Sequence, residues 1–223
     1  GLPAVLTITL AVGVQEVAKR NAIVRRLPAI ETIGSVSVIC TDKTGTLTHN
    51  EMMVASVLTN QHLFTLQGDG YAPKGALLLE NTEVSPGEYA VLEKLARAAA
   101  VCNDASLHSH SGAWTVEGDP MEGALLAFAC KIGIDPLQEK STWIRTDAIP
   151  FDAKHRFMAT LNHDHEHHAC IFMKGAPERV LTMCSRQSTN QGTELLNKSY
   201  WLEQADKIAA HGQRVLAFAA KTV

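Results

Sequence analysis

Apolar and polar positions follow different rhythms along this chain, and each rhythm predicts a different kind of element. The opening run, GLPAVLTITLAVGV, carries no charge, and QEVAKRNAIVRR then brings in Lys19, Arg20, Arg25 and Arg26. As a helix the apolar run spans about 21 Å, short of the roughly 30 Å of a bilayer core. It reads as half of a membrane helix whose trailing positive charges mark a cytoplasmic exit, or as a buried helix of a soluble domain. The segment SVSVIC, residues 35–40, is a compact apolar run that predicts a strand buried on both faces.

From about residue 52 the pattern changes to hairpins and helices. FTLQGDGYAPKG predicts a strand and turn punctuated by Gly68, Gly70 and Gly75. Ser85, Pro86 and Glu88 supply an N-cap, a first-turn proline and a capping-box acid for a helix running through YAVLEKLARAAAVC. A second helix opens at Asp119 in GDPMEGALLAFACKIG and ends near Gly133. FMATL and ACIFM are extended segments, with NHDHEHH as the polar hairpin tip between them. A further helix starts at Pro177, ELLNKSYWLEQADKIAAHG predicts a last one ending at Gly212, and RVLAFAAKTV reads as a strand. These elements predict an α+β domain of about 170 residues inserted after the strand that leads to Asp42.

The composition narrows the class. With 223 residues, 46% hydrophobic and 19% charged, the chain has enough apolar material for one large or two modest folded domains and is not a disordered tail. A net charge of -3 gives no basic footprint for nucleic acid across the chain. The five cysteines are scattered, with no C-x-x-C pair, which predicts reduced thiols and neither a disulfide frame nor a zinc site.

The chemistry concentrates in ICTDKTGTLT, residues 39–48. An acid just past the carboxyl end of a buried strand lies where open α/β sheets bind ligands. Gly45 lets backbone amides approach an oxyanion, Lys43 adds positive charge, and Thr44 and Thr46 add hydroxyls, so the loop suits a phosphoryl group. Asp42 can then act as a nucleophile and form an acyl phosphate. Phosphatases with a related loop carry a second aspartate two positions on as general acid and base. Thr44 stands there in this chain, which removes a fast route to water attack. The simpler alternative is that Asp42 caps a turn.

The string DKTGTLT resembles the signature of P-type ATPases, and with GLPAVLT and AKRNAIVRRLPAIETIGSVSVIC the resemblance runs from end to end, nearest to the calcium-transporting branch of the type II pumps. It implies residues 1–16 as the cytoplasmic end of a membrane helix and stalk, 17–51 as the first part of a phosphorylation domain, and 52–223 as the nucleotide-binding domain. The implied folds are an incomplete haloacid dehalogenase-like α/β portion and an α+β domain with a mainly antiparallel sheet and flanking helices.

The same resemblance implies that Glu122 in GDPMEGAL contacts adenine, that Phe151 in IPFDAKHRFM stacks on it, and that Lys174 in KGAPE stands at the mouth of the adenine pocket beside Gly175. Arg156 keeps the family register as a nucleotide-binding residue and Arg214 in GQRVLAFA reaches the phosphates, while Ala153 and His155 depart from the commoner serine and arginine. Hinge closure would deliver the γ-phosphate of ATP to Asp42, with Mg2+ held by Asp42 and the Thr44 carbonyl and by further ligands outside this chain. The implied partners are ATP and the remainder of the pump, namely its actuator domain, membrane helices and the rest of the phosphorylation domain, with no nucleic acid. The implied setting is the cytoplasmic portion of an integral membrane protein, and the implied ion is Ca2+. Each residue also has a plainer reading: Glu122 as a capping-box acid three positions after Asp119, Phe151 as core, and Lys174 and Arg214 as solvated charges.

Two other functions fit parts of the sequence. A stand-alone phosphatase of the Asp-nucleophile superfamily would use Asp42 but would need the second aspartate that Thr44 replaces and a complete core sheet. A metal-binding regulatory module would rest on HDHEHH, where His163, His165 and His167 share one face of an extended strand.

Overall fold

In the computed structural model, which describes residues 1–26, 28–166 and 168–223, the chain forms two compact units, residues 1–49 and 50–223. The first contains helix α1 (Leu2–Ala18) and the short helix α2 (Pro28–Ile33). No helix among the described residues is long and apolar enough to cross a membrane. The strand expected at residues 35–40 does not form. Val36, Val38, Ile39 and Cys40 are exposed and without regular structure. A strand buried on both faces needs neighbours to take its N–H and C=O groups, and the described residues of this unit supply none.

The second unit is built from antiparallel sheets and helices. Strands β1 (Ser56–Leu58), β2 (Leu63–Leu66), β3 (Leu77–Leu79) and β4 (Thr82–Glu83) form a meander in sequence order. Helix α3 (Ala90–Val101) follows, then the hairpin β5 (Ser106–His110) and β6 (Ala113–Glu117), then helices α4 (Pro120–Lys131) and α5 (Pro136–Thr142). Strands β7 (Ile144–Asp152), β8 (Phe157–His163) and β9 (Ala169–Gly175), helix α6 (Pro177–Met183), the hairpin β10 (Arg186–Thr189) and β11 (Gly192–Leu195), helix α7 (Lys198–Ala209) and strand β12 (Ala217–Thr222) complete it. The main sheet runs β12-β9-β8-β7, with every pairing antiparallel.

Helix α3 is the hub. One face, with Leu92, Ala96, Ala99 and Ala100, packs with Phe64, Leu66 and Leu77 of the meander and with Leu125, Phe128 and Ala129 of α4. Its other side, through Ala98 and Val101 with the following Cys102, meets Met158, Cys170 and Phe172 of the main sheet. A helix wedged between three partners needs short side chains, and the alanine run permits that approach.

Two helix starts differ from the sequence expectation. Ser85 caps only a 3-10 turn at Pro86–Glu88 and makes no side-chain cap bond. Helix α3 begins four residues after Pro86 because Tyr89 leaves the helical region (φ -124°, ψ 85°), its ring edge-on to Phe64 at 4.8 Å and to His62 at 5.6 Å. The last helix starts at Lys198, capped by Asn197, since Glu194 and Leu195 pair in β11. Helix α4 starts as expected, with Asp119 accepting from the N–H groups of Met121 and Glu122, and Gly133 past its end takes φ +93°.

Gly123, in the first turn of α4, lies against β6. A Cβ there would sit 2.2 Å from a Val116 methyl. Gly123→Ala is therefore expected to cost about 1–3 kcal/mol, read from urea unfolding. Adding Val116→Ala should recover part of that loss in a double-mutant cycle.

Candidate functional site

Of the site residues expected from sequence in the second unit, Phe151 and Lys174 share one row of the main sheet, and Glu122 of α4 contacts Lys174. Between the pairs Ile149↔Ala159 and Asp152↔Phe157 the register shifts, leaving Pro150 and Phe151 opposite the single residue Met158. Met158 pairs with Lys174, and Lys174 with Phe218. Phe151 thus occupies a β-bulge two strands, about 10 Å, from Lys174. Its ring is not core: the residue is 58% exposed on the edge strand β7.

Lys174 is not a solvated charge. It is 4% exposed, and its Nζ donates to Oε1 of Glu122, itself only 8% exposed. The other carboxylate oxygen, Oε2, accepts the backbone N–H of Asp104 at 3.0 Å. Glu122 therefore does not close a capping box: its backbone N–H donates to Asp119 while its carboxylate turns to Lys174 and Asp104. A charge this deep is held only by an opposite charge and hydrogen bonds, and the pair has both.

The neighbouring positions are tightly built. Arg156 adopts the left-handed conformation (φ +59°) in the β7–β8 turn, where its N–H donates to the Asp152 carbonyl at 2.7 Å. Two main-chain N–H groups, of Lys154 and His155, hold the Asp152 carboxyl below the usual range. The Arg156 guanidinium donates to Glu178 at 2.6 Å. A Cβ on Gly175 would lie 2.5 Å from the Arg156 carbonyl oxygen, so only glycine fits that close approach. Arg214 is exposed in the segment before β12.

Sequence reasoning missed the partners of the pair. Asn103, 1% exposed, donates from Nδ2 to the carbonyls of Ala99 and Glu122 and accepts the Ala105 N–H. Arg145 of β7 donates to Asp104 Oδ1 at 2.5 Å and to the carbonyls of Val101 and Asn103. The one signal for them is the polar pair Asn103–Asp104 closing an alanine-rich helix. Asn103, Asp104 and Arg145 also line an open cleft of about 290 Å³ with Lys140, Trp143 and Asn162.

In the first unit, Asp42, Lys43 and Thr44 lie on an exposed turn. The Asp42 Oδ1 accepts the Lys43 N–H at 2.7 Å, the Lys43 carbonyl accepts the N–H groups of Leu47 and Thr48, and Gly45 takes φ +75°.

The described residues between β8 and β9 form the polar hairpin tip that the sequence predicts. His163 Nδ1 is hydrogen-bonded to Thr146 Oγ1 at 2.9 Å, His165 approaches Glu166 at 4.0 Å, and His167 lies outside the described residues. It is Asp164, Glu166 and His168 that come close together. The Asp164 carboxyl opposite His168 raises that imidazole's pKa; desolvation works against Asp164's ionisation, yet the His168 ring and the backbone N–H groups of His168 and Glu166 hold its own pKa low.

The buried pair generates a test of stability. Glu122→Ala leaves Lys174 uncompensated and is expected to cost about 3–5 kcal/mol, whereas replacing Glu122 and Lys174 together by methionine should cost far less. Urea unfolding of the single and double variants checks this.

Residues 91–223 match the family described as P-type ATPase, cytoplasmic domain N. Over its full length the chain is 43% identical to Cation-transporting ATPase pma1 of Synechocystis sp., covering 25% of that protein. It is 38% identical to a Calcium-transporting ATPase of Bacillus subtilis, with 83% of this chain and 21% of the relative covered. It is also 38% identical to human Calcium-transporting ATPase type 2C member 1, with 98% of this chain and 24% of the relative covered. The chain therefore spans about a quarter of the relatives it matches. The family match over residues 91–223 takes in the bulge, the buried pair and the hairpin turn alike, and the chain belongs to the P-type ATPases.

Proposed function

We propose that residues 52–223 bind the nucleotide of an ATP-driven cation pump, and that Asp42, within 17–51, accepts its phosphoryl group. Residues 1–16 would be the stalk and the cytoplasmic end of a membrane helix, and the remainder of the pump would supply its actuator domain, its membrane helices and the rest of a haloacid dehalogenase-like phosphorylation domain. Ca2+ is the proposed ion, supported by relatives named calcium-transporting ATPases.

The observation that carries the reading is the exposed ring of Phe151 in one sheet row with Lys174, whose ammonium is neutralised by buried Glu122. An exposed aromatic face suits stacking on a base. Glu122 is acceptor-only, and each carboxylate oxygen has more than one acceptor site, so the carboxylate can still receive an exocyclic amine such as that of adenine. Gly175 lets the end of β9 pass close against the Arg156 turn, and Arg156 and Arg214 supply cations for phosphate. Arg156 is already paired with Glu178, so phosphate would compete with that carboxylate.

At Asp42 a carboxylate oxygen forms a bond to the γ-phosphorus as the bond to the β,γ-bridging oxygen breaks, and ADP leaves with that electron pair. Thr44, lacking a carboxylate, offers no base for prompt hydrolysis, so the acyl phosphate persists. The exposed Asp42 carboxylate and the Thr44 carbonyl are oxygen donors of the kind Mg2+ takes, and the bound ion would neutralise phosphate charge there.

Calorimetric titration of the chain with ATP is expected to show saturable binding, with Phe151→Ala weakening it by roughly tenfold or more. Unchanged affinity in a folded variant would overturn the stacking role. In the full-length protein, Asp42→Asn is expected to abolish acid-stable, hydroxylamine-labile labelling by γ-labelled ATP. Labelling that persists would remove Asp42 as the acceptor.

A further inference from the structure

The Glu122 carboxylate is aimed by a loop, and the loop is itself held from outside the site. Residues 101–105 leave α3 and pass beneath α4. Their Asp104 N–H fixes Glu122 Oε2, and the Asn103 side chain joins the Ala99 carbonyl of α3 to the Glu122 carbonyl of α4. Beyond Val101, the last residue of α3, the loop has no regular structure, so its shape depends on what ties its own carbonyls. Those ties come from Arg145, whose Nη2 donates to the carbonyls of Val101 (3.1 Å) and Asn103 (3.0 Å) while Nη1 donates to Asp104 Oδ1 (2.5 Å). Lys140 adds one more bond, to the Ala105 carbonyl at 3.1 Å.

A guanidinium is suited to this task because its donors are fixed in one plane and can serve several acceptors at once. The Val101 carbonyl, at the end of α3, is one of those a helix leaves without an internal partner. Arg145 also lies on β7, the strand that carries Phe151 in its bulge. One strand thus bears the exposed ring at one end and the clamp on the Glu122 loop at the other.

We propose that Arg145 is a positioning residue for the candidate base site, fixing through residues 101–104 the orientation of Glu122 and with it the preference for a 6-amino over a 6-oxo purine. This rests on the reading of Glu122 as the group that meets the base. Two acceptor oxygens held in place favour the amine of adenine and repel the carbonyl of guanine. A carboxylate free to turn discriminates less. If Arg145 served only to hold the domain together, its loss would weaken both nucleotides alike. As a positioning residue its loss changes their ratio.

The test titrates ATP and GTP by calorimetry into the native chain and into Arg145→Ala, Arg145→Lys and Glu122→Gln variants, each with a native-like near-UV spectrum. The native chain is expected to prefer ATP. Arg145→Ala should weaken ATP by roughly tenfold with little change for GTP. Arg145→Lys should stay close to the alanine variant, since one ammonium does not span three acceptors. If Arg145→Ala does not fold, Asp104→Ala removes one tether while keeping the backbone N–H, and a smaller narrowing of the ratio is expected. An unchanged ATP-to-GTP ratio in a folded Arg145→Ala, with the ratio lost in Glu122→Gln, would overturn the positioning role alone. A ratio unchanged in Glu122→Gln, or no preference in the native chain, would overturn the reading of Glu122 and the proposal with it.

Discussion

An ammonium and a carboxylate lie almost entirely out of water in the second unit, and much of its architecture follows from keeping them together. Separating Lys174 from Glu122 would leave a buried charge whose desolvation nothing offsets. Strand β9 must therefore present Lys174 toward the first turn of α4, and α4 must sit close enough to answer it. The same turn of α4 also lies against β6, where Gly123 meets Val116 with no room for a Cβ. Asn103, deep beneath the helix, has its amide bonded to α3 and α4 at once. The alanine face of α3 completes the arrangement by letting α4 and the main sheet approach the same helix. Buried ion pairs are often no more stabilising than apolar side chains of similar volume, so stability alone does not account for the ions.

The bulge in β7 resolves a second requirement. A regular strand alternates its side chains between faces. Inserting Pro150 and Phe151 opposite Met158 breaks the alternation near the end of a strand whose residues are all exposed. Proline is tolerated because β7 is the edge of its sheet and has only one pairing partner. The turn that follows is closed by the left-handed Arg156, and Gly175 is required where β9 passes that residue's carbonyl.

Local chemistry makes part of this fold legible in the sequence. Asp119 followed by Pro120 announces α4 because an N-cap acceptor and a residue with no N–H act within one turn, and the apolar runs of β8 and β9 announce a buried hairpin. Asp135 with Pro136 carries the same grammar for α5, but seven residues give no periodicity to read. The hairpins β5–β6 and β10–β11 escape because most of their residues face solvent, and only β6 shows even a short apolar alternation, at Trp114 and Val116. Leu195 shows the cost: in sequence it extends the last helix, yet in the fold it is an exposed end of β11. The Glu122–Lys174 contact joins positions 52 apart, and no local pattern contains that information. Arg145 is invisible for the same reason, since its acceptors are backbone carbonyls more than forty positions away.

The turn at Asp42 depends on different physics. Residues 35–40 are apolar enough for a strand between two others, and without such neighbours in the described unit they stay exposed and without regular structure. The acidic turn after them forms nonetheless, because its bonds are local: the Lys43 carbonyl accepts two N–H groups from residues 47 and 48, and Gly45 takes the left-handed conformation that brings them round. A loop closed by its own main chain keeps its shape whether or not the strand before it is paired. Nucleophile geometry and sheet formation are therefore separable here. The residues that would carry a phosphoryl group are arranged by contacts spanning five positions, whereas the site that would hold the base depends on contacts reaching across the whole second unit.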